Sequence, residues 1–203
     1  MAGITSVTVE TDDPDSADAF YRKAFGLGSV IGVRASEAAT SGYRGFTLSI
    51  VVTQPSTVDS FVESAVDAGA TVVKPAKKSF WGYGGVVQTP DGTIWKIASS
   101  AKKDTGPVTR EIESIVLLLG VSDVKASKQF YLDHGLTVAK GFGSKYVEFA
   151  MDAAKVKLAL YNRRAAAKDA GVPADGSGSH RLVIGGDVGP FTDPDGFAWE
   201  SAA

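Results

Sequence analysis

Two charged side chains stand at the same place in two similar segments of the chain. Lys96 ends the segment TPDGTIWK, and Glu200 ends the segment DPDGFAWE. A lysine can bind an anionic group, whereas a carboxylate can act as a general base or as a metal ligand. The structural alternatives are that each is a solvated charge at a sheet edge, or that the two form an ion pair with each other. The sequence leaves both interpretations open.

Each of these segments predicts a tight turn that leads into a strand. Proline fixes φ for the turn, aspartate bonds its own backbone, and glycine accepts a positive φ. Side chains alternate between the two faces of a strand. The tryptophan before each charged residue, Trp95 or Trp199, is therefore predicted to face the opposite side of the sheet and to pack in the core.

A third set of candidate residues lies on the segment Phe80–Gly85, which is rich in glycine and aromatic side chains. Exposed aromatic residues on a loop are typical of contact with a ligand or a partner. Packing of the loop against the core is the alternative. Trp81 and Tyr83 are accordingly candidate ligand-binding residues that could form a lid.

Composition excludes several classes of function. Of the 203 residues, 44% are hydrophobic and 22% are charged, which is typical of a globular protein. The net charge is -2 and no block of like charge is present, so no nucleic-acid partner is predicted. The absence of cysteine excludes thiol catalysis and thiolate metal sites. With no signal-peptide pattern and only short apolar runs, we predict a cytoplasmic protein without a membrane partner.

A second pair of similar segments indicates an internal duplication. The segment AFYRKAFGL, from Ala19 to Leu27, is similar to QFYLDHGL, from Gln129 to Leu136, and the two pairs follow the same order. We therefore predict a first module at residues 1–98 and a second at residues 111–203. The polar stretch at residues 99–110 contains Gly-Pro and is predicted to be the linker.

The elements of each module are predicted from periodicity and capping signals. An alternating strand comes first, and a helix that begins at an aspartate follows it. The buried residues are predicted to be Val7, Val9, Phe20, Tyr21, Phe46, Leu48, Trp95, Leu117, Leu119, Phe130, Tyr131, Leu182 and Trp199. Residues 163–179 are predicted to be a loop with at most one helical turn.

The second module is shortened. Between Ile184 and Phe191 the sequence has only GGDVGP, where the first module has a helix and the aromatic loop. Either the second module lacks this part, or residues are missing from the sequence. We predict a structural irregularity between Gly185 and Phe191.

The repeated order of strand, Asp-started helix, Phe-Tyr, Gly-Leu and Pro-Asp-Gly-x-x-Trp resembles the vicinal oxygen chelate superfamily. That group includes glyoxalase I, bleomycin-resistance proteins, fosfomycin-resistance enzymes and extradiol dioxygenases, and the resemblance covers nearly the whole chain. It implies an α+β fold of two tandem βαβββ modules whose mixed sheet curls into a cup that holds the ligand.

The resemblance also implies where a metal would lie in those members that have one. Its ligands are His, Gln or Glu on the first and last strands of the modules, facing the cup. Here the first-strand positions fall on Ser6 and on Val116, or on Ser114 if the strand has a bulge. The last-strand positions fall on Lys96 and Glu200. A charged lysine has no lone pair to offer a cation, so we predict neither a metal nor another cofactor.

The same positions define the predicted ligand site. We expect Lys96 and Glu200 to point into the cup beside the hydroxyl side chains of Ser6 and Thr8. Val116 and Leu118 form the apolar wall, and the loop with Trp81 and Tyr83 closes over it. Such a pocket suits a flat ligand with a polar edge.

The leading hypothesis is a protein that binds a small aromatic or apolar organic molecule in the cup without a metal. Sequestration of an antibiotic or metabolite, as in the bleomycin-resistance branch, is the nearest analogy. The alternative is a lyase, isomerase or dioxygenase of the same superfamily that uses Glu200 as metal ligand or general base. A monomer and a homodimer are both compatible with the sequence.

Overall fold

The computed structural model describes residues 3–151 and 156–202. These residues form the helices α1 (Pro14–Phe25), α2 (Pro55–Asp67), α3 (Val124–Asp133) and α4 (Arg163–Ala170). The strands are β1 (Ile4–Thr11), β2 (Ile31–Ala35), β3 (Thr40–Gly42), β4 (Phe46–Val51), β5 (Thr71–Ser79), β6 (Gly82–Gln88), β7 (Ile94–Ser99), β8 (Ser114–Val121), β9 (Val138–Phe142), β10 (Tyr146–Phe149), β11 (Val156–Asn162), β12 (Gly176–Gly178), β13 (Leu182–Gly186), β14 (Phe191–Thr192) and β15 (Ala198–Ser201). The predicted α+β class is confirmed. None of the described helices is long and apolar enough to cross a membrane.

The larger sheet has eight strands in the order β5-β6-β7-β4-β8-β11-β10-β9. Each half of the chain contributes one complete βαβββ unit to it. In the first unit α2 follows β4, and β4 runs parallel to β7; in the second, α3 follows β8, and β8 runs parallel to β11. The two units meet at the antiparallel pair β4–β8. This mixed sheet is open at both edges.

The smaller sheet has five strands in the order β14-β15-β13-β1-β2. Its central pair joins β1, near the start of the chain, to β13, near the end, in antiparallel register. A turn at residues 187–190 connects β13 to β14, where α2 follows β4 in the complete unit. The second half is therefore shortened at the predicted place. The division into modules at 1–98 and 111–203 stays a prediction, because both sheets combine strands from the two halves.

Two helices begin where the sequence predicted. The side chain of Asp13 caps α1 by accepting the backbone N–H of Ser16 at 3.0 Å. The side chain of Asp123 caps α3 by accepting the N–H of Lys125 at 2.9 Å. Such caps satisfy N–H groups that have no partner within the helix.

Helix α4 corrects the prediction of a loop at residues 163–179. Its first turn is capped by the side chain of Asn162, and its end at Gly171 has a φ of 82°. Alanine has the highest helix propensity, so this segment forms a helix although it has few large apolar residues. Its buried residues are Ala166, Ala167 and Ala170. The periodicity of large side chains could not reveal a helix that packs through alanine.

The main core joins both sheets to α1, α2 and α3. Trp95 is 0% exposed and Trp199 is 2% exposed, which confirms that both tryptophans face the core. Tyr21 lies 5.4 Å from Trp95, and Tyr131 lies 5.6 Å from Trp199, measured between ring centroids. All the predicted core residues are buried except Phe130, which is half-buried.

Candidate ligand site

One face of the eight-stranded sheet carries α4, and we call it the α4 face. The strand register places Ser49 between Lys96 and Val116, and it places Thr47 opposite Leu118. Paired residues lie on the same side of a sheet. The predicted site residues Lys96, Val116 and Leu118 are therefore together on the α4 face, beside two hydroxyl side chains.

The centre of the α4 face is filled by the helix itself. Ala166 and Ala167 are each 1% exposed and form a buried cluster with Tyr43. Leu118 and Tyr161 pack against this cluster. Leu118, one of the two residues of the apolar wall that we predicted for the ligand, thus contacts α4, because the helix lies over β8.

An ion pair lies at the end of α4. Lys96 Nζ is 2.6 Å from Asp169 Oδ2, and the two side chains are 31% and 39% exposed. Lys74 Nζ donates to the carbonyl oxygen of Asp169 at 2.8 Å. Asp169 was not among the predicted site residues, because residues 163–179 were predicted to be a loop. The signal that could have found it was the run of alanines between Asn162 and Gly171.

A cavity of about 140 Å³ lies beside this ion pair, and we call it the Lys96 pocket. It is bordered by three lysines, Lys74, Lys77 and Lys96, and by the carboxylate of Asp169. Strands β5, β6 and β7 supply the rest of its wall, together with the turn that contains Trp81. Apolar cavities of about 150 Å³ hold one benzene ring, so this pocket has room for one small ring.

The two aromatic residues predicted to form a lid have different surroundings. Trp81 is 78% exposed at the turn between β5 and β6, where its ring meets that of Phe80 at 4.9 Å. The hydroxyl of Tyr83 donates to Asp59 Oδ1 of α2 at 2.8 Å. Burial raises the pKa of Tyr83, and the bond to Asp59 raises it further. Both residues border the Lys96 pocket, but only Trp81 has a side chain free to close over it.

The remaining predicted site residues lie on the other sheet. Register places Gly185 between Ser6 and Glu200, and it pairs Thr8 with Val183. Ser6, Thr8 and Glu200 therefore share the face of the five-stranded sheet that points away from the core, which we call the outer face. The structure does not bring them together with Lys96, because β15 pairs with β13 and not with a strand of the larger sheet.

Glu200 belongs to an ion-pair network on the outer face. Arg34 Nη1 donates to Glu200 Oε1 at 3.0 Å, and Arg34 Nη2 donates to Glu10 Oε1 at 2.7 Å. These two carboxylates raise the pKa of Arg34. The side chain of Glu200 is 56% exposed. Its surroundings are those of a surface ion pair, which is the alternative that the sequence left open, with Arg34 in place of Lys96 as the partner.

The residues at the positions where some members of the superfamily bind a metal do not fit a metal ion here. Lys96 is paired with Asp169 on one sheet, and Glu200 is paired with Arg34 on the other. Within residues 3–151 and 156–202, no group of three histidine, aspartate or glutamate residues converges on one point. That no metal is bound stays a prediction.

Comparison with known proteins supports the fold. No family model and no curated protein matches the sequence. Glyoxalase I from Zea mays matches 99% of this chain over 92% of its own length, with a TM-score of 0.62 and 14% identity. A putative dioxygenase from Bacillus subtilis subsp. subtilis str. 168 matches 90% of this chain over 69% of its length, with a TM-score of 0.58 and 14% identity. The glyoxalase-type fold implied by the resemblance to the vicinal oxygen chelate superfamily is therefore confirmed.

Proposed function

We propose that this glyoxalase-like chain binds a small aromatic organic molecule with a polar edge in the Lys96 pocket. The observation that carries the proposal is the convergence of Lys96, Trp81 and Asp169 on one cavity at the end of α4. A ring can stack on the indole of Trp81, while its polar edge meets the ammonium groups of Lys77 and Lys96.

The charges around the pocket favour an acidic edge on the ligand. Three lysines face one carboxylate, and Asp169 already occupies part of the space around Lys96. An aromatic carboxylate would offer Lys96 the same kind of partner that Asp169 now supplies. Asp169 then either shares Lys96 with the ligand or turns toward solvent, because its side chain is 39% exposed.

Sequestration of an antibiotic or a metabolite is the biological role that we infer for such a pocket. The alternative is a lyase, isomerase or dioxygenase that works on the outer face, where Glu200 and Glu10 flank Arg34. Elemental analysis before and after chelator treatment tests the metal-dependent form of this alternative. A stoichiometric metal whose removal also lowers the melting temperature would overturn binding without metal.

Titration with benzoate, followed through the indole N–H resonance of Trp81 by nuclear magnetic resonance, tests the pocket directly. We expect benzoate to shift this resonance, benzyl alcohol to shift it less, and Lys96→Ala to abolish the difference. Lys157→Ala is the matched control, because Lys157 pairs with Val116 on the same sheet face but does not border the pocket. Equal responses of the Lys96 and Lys157 variants would contradict the placement.

A further inference from the structure

A second cavity, of about 580 Å³, lies between the start of α1 and the turn at Pro90 and Asp91. It shares no lining residue with the Lys96 pocket. Two arginines, Arg44 and Arg181, form part of its wall, and we call it the Arg44 cavity. Neither arginine takes part in the function proposed above.

Arg181 is held in an unusual position. It is 7% exposed, and its φ of 49° lies in the left-handed region that side chains rarely adopt. Its Nε donates to the carbonyl oxygen of Ala38 at 2.9 Å, and its Nη2 lies 2.9 Å from Asp12 Oδ1. Residues held in such conformations cluster at binding and catalytic sites, because only a surrounding structure built for the purpose retains them.

Arg44 has an unused donor. Its Nη2 donates to the carbonyl oxygen of Asp91 at 2.7 Å, whereas Nη1 is buried and has no acceptor among the described residues. Burial lowers the pKa of Arg44, and the nearby charge of Arg181 lowers it further against the opposing effect of Asp91. A buried N–H group without an acceptor is costly, so an acceptor within reach of Nη1 would stabilise the protein.

The carboxylates around the cavity do little to neutralise the positive charges of Arg44 and Arg181. Asp13 is engaged by the backbone N–H and the hydroxyl of Ser16, at 3.0 and 2.7 Å. Asp91 accepts from Tyr21 at 3.0 Å and also binds two threonine hydroxyls, those of Thr89 and Thr93. Asp12 pairs with Arg181 of the cavity, and its side chain is 76% exposed. The Asp12 carboxylate can therefore leave Arg181 and become hydrated when a stronger anion binds to Arg181.

We propose that the Arg44 cavity binds the anionic group of a small organic molecule, a phosphate ester or a dicarboxylate, between Arg44 and Arg181. Guanidinium groups present paired N–H donors that match the oxygens of phosphate and carboxylate groups. The anion takes the place of the Asp12 carboxylate on Arg181 and lies beside the guanidinium of Arg44, whose side chain turns so that the buried Nη1 can meet it. The rest of the cavity, which includes Phe20, has room for the organic part.

Calorimetric titration of the whole chain with inorganic phosphate, phenyl phosphate and malonate tests this site, with chloride at matched ionic strength as reference. We expect at least one dianion to bind while chloride gives no heat. Phenyl phosphate binding more tightly than phosphate and malonate would identify an organic phosphate as the ligand class, and malonate binding most tightly would identify a dicarboxylate. Absence of saturable binding by all three would overturn the proposal.

Two substitutions locate the binding, and two more serve as controls. Asp12→Asn removes the competing carboxylate and should tighten dianion binding severalfold, whereas Asp15→Asn, on the exposed side of α1, should leave it unchanged. Arg44→Lys keeps a charge but loses the paired donors and should weaken binding about tenfold. Circular dichroism confirms that each variant is folded. Equal affinity of the Asp12 and Asp15 variants would contradict the site. Lys96→Ala should not change dianion binding. The result for the Arg44 cavity is therefore independent of the result for the Lys96 pocket.

Discussion

The two sheets present different faces to their surroundings. On the α4 face of the eight-stranded sheet, a helix packs through Ala166 and Ala167, and the pair Lys96–Asp169 borders a pocket. On the outer face of the five-stranded sheet, Arg34 joins two carboxylates in a network that is open to solvent. Lys96 and Glu200 occupy equivalent places in sequence, but their surroundings have little in common.

This difference follows from whether the strand belongs to a complete βαβββ unit or to the shortened part of the chain. Strand β7 closes a full βαβββ unit and so lies in the larger sheet, where α4 covers the nearby strands β8 and β11. Strand β15 closes the shortened second half and joins the smaller sheet beside β13. A residue's role therefore depends on the sheet that its strand enters, and the local motif does not decide this.

The largest difference between the α4 face and the outer face is expected in the free energy of unfolding when a charge is introduced on each. Ala167→Glu forces a larger, charged side chain into the buried contact between α4 and Tyr43, and should lower the free energy of unfolding by about 3 kcal/mol or more. Ser6→Glu, at an exposed position of the outer face, should change it by less than about 0.5 kcal/mol. Urea denaturation measures both. Similar costs for the two variants would show that α4 does not cover its sheet as described.

A pH effect should distinguish the turns of the two sheets. Burial raises the pKa of Asp193, which precedes the turn between β14 and β15, whereas Thr89 stands at the equivalent place in the larger sheet. The folded carboxyl then binds its proton more tightly than the unfolded one does. The free energy of unfolding should fall as pH rises from the ordinary value of 3.8 to the raised pKa. Asp193→Asn should remove this contribution; an unchanged slope of stability against pH would contradict it.

Substitution of the two aromatic residues of the predicted lid should cost different amounts of stability, because within the described residues only Tyr83 makes a hydrogen bond to another element. Tyr83→Phe removes the bond to Asp59 and should cost about 1 kcal/mol of stability. Trp81→Ala should cost less than about 0.5 kcal/mol, because its side chain is exposed. Thermal unfolding compares the variants. A larger loss for Trp81→Ala would mean that its indole stabilises the fold and is not free to act as a lid.

The smallest effects are expected from the surface ion pairs. Lys96→Met and Arg34→Met should each cost less than about 1 kcal/mol, because these charges remain partly hydrated and exposed pairs contribute little. Added salt should reduce both costs. A double-mutant cycle between Lys96 and Asp169 gives the pair energy. A coupling well above this range would assign Lys96 a mainly structural role and would weaken the case for ligand binding.

Local signals were enough to predict much of the fold. The Asp caps set the starts of α1 and α3, and alternation within β7 and β15 placed both tryptophans in the core. The pairing of β1 with β13 could not be read in this way, because it joins strands far apart in sequence. That pairing separates Ser6, Thr8 and Glu200 from Lys96.

The candidate site was less predictable than the fold. Trp81, Tyr83 and Lys96 were named from their residue types and do border one pocket. Asp169 was not, since the helix that carries it buries only alanine. Tyr83 was expected to face the ligand, but Asp59 of α2 takes its hydroxyl. A partner on another element decides such orientations, and no local pattern reveals it.

The most direct measurement is a native mass spectrum of the protein purified from its own source, compared with variants produced in the same way. The account predicts one small aromatic molecule in the Lys96 pocket of each wild-type chain, lost from Lys96→Ala and Trp81→Ala but kept by Thr8→Ala on the outer face. Retention of the molecule by both pocket variants, or its loss from the Thr8 variant alone, would contradict binding in the Lys96 pocket.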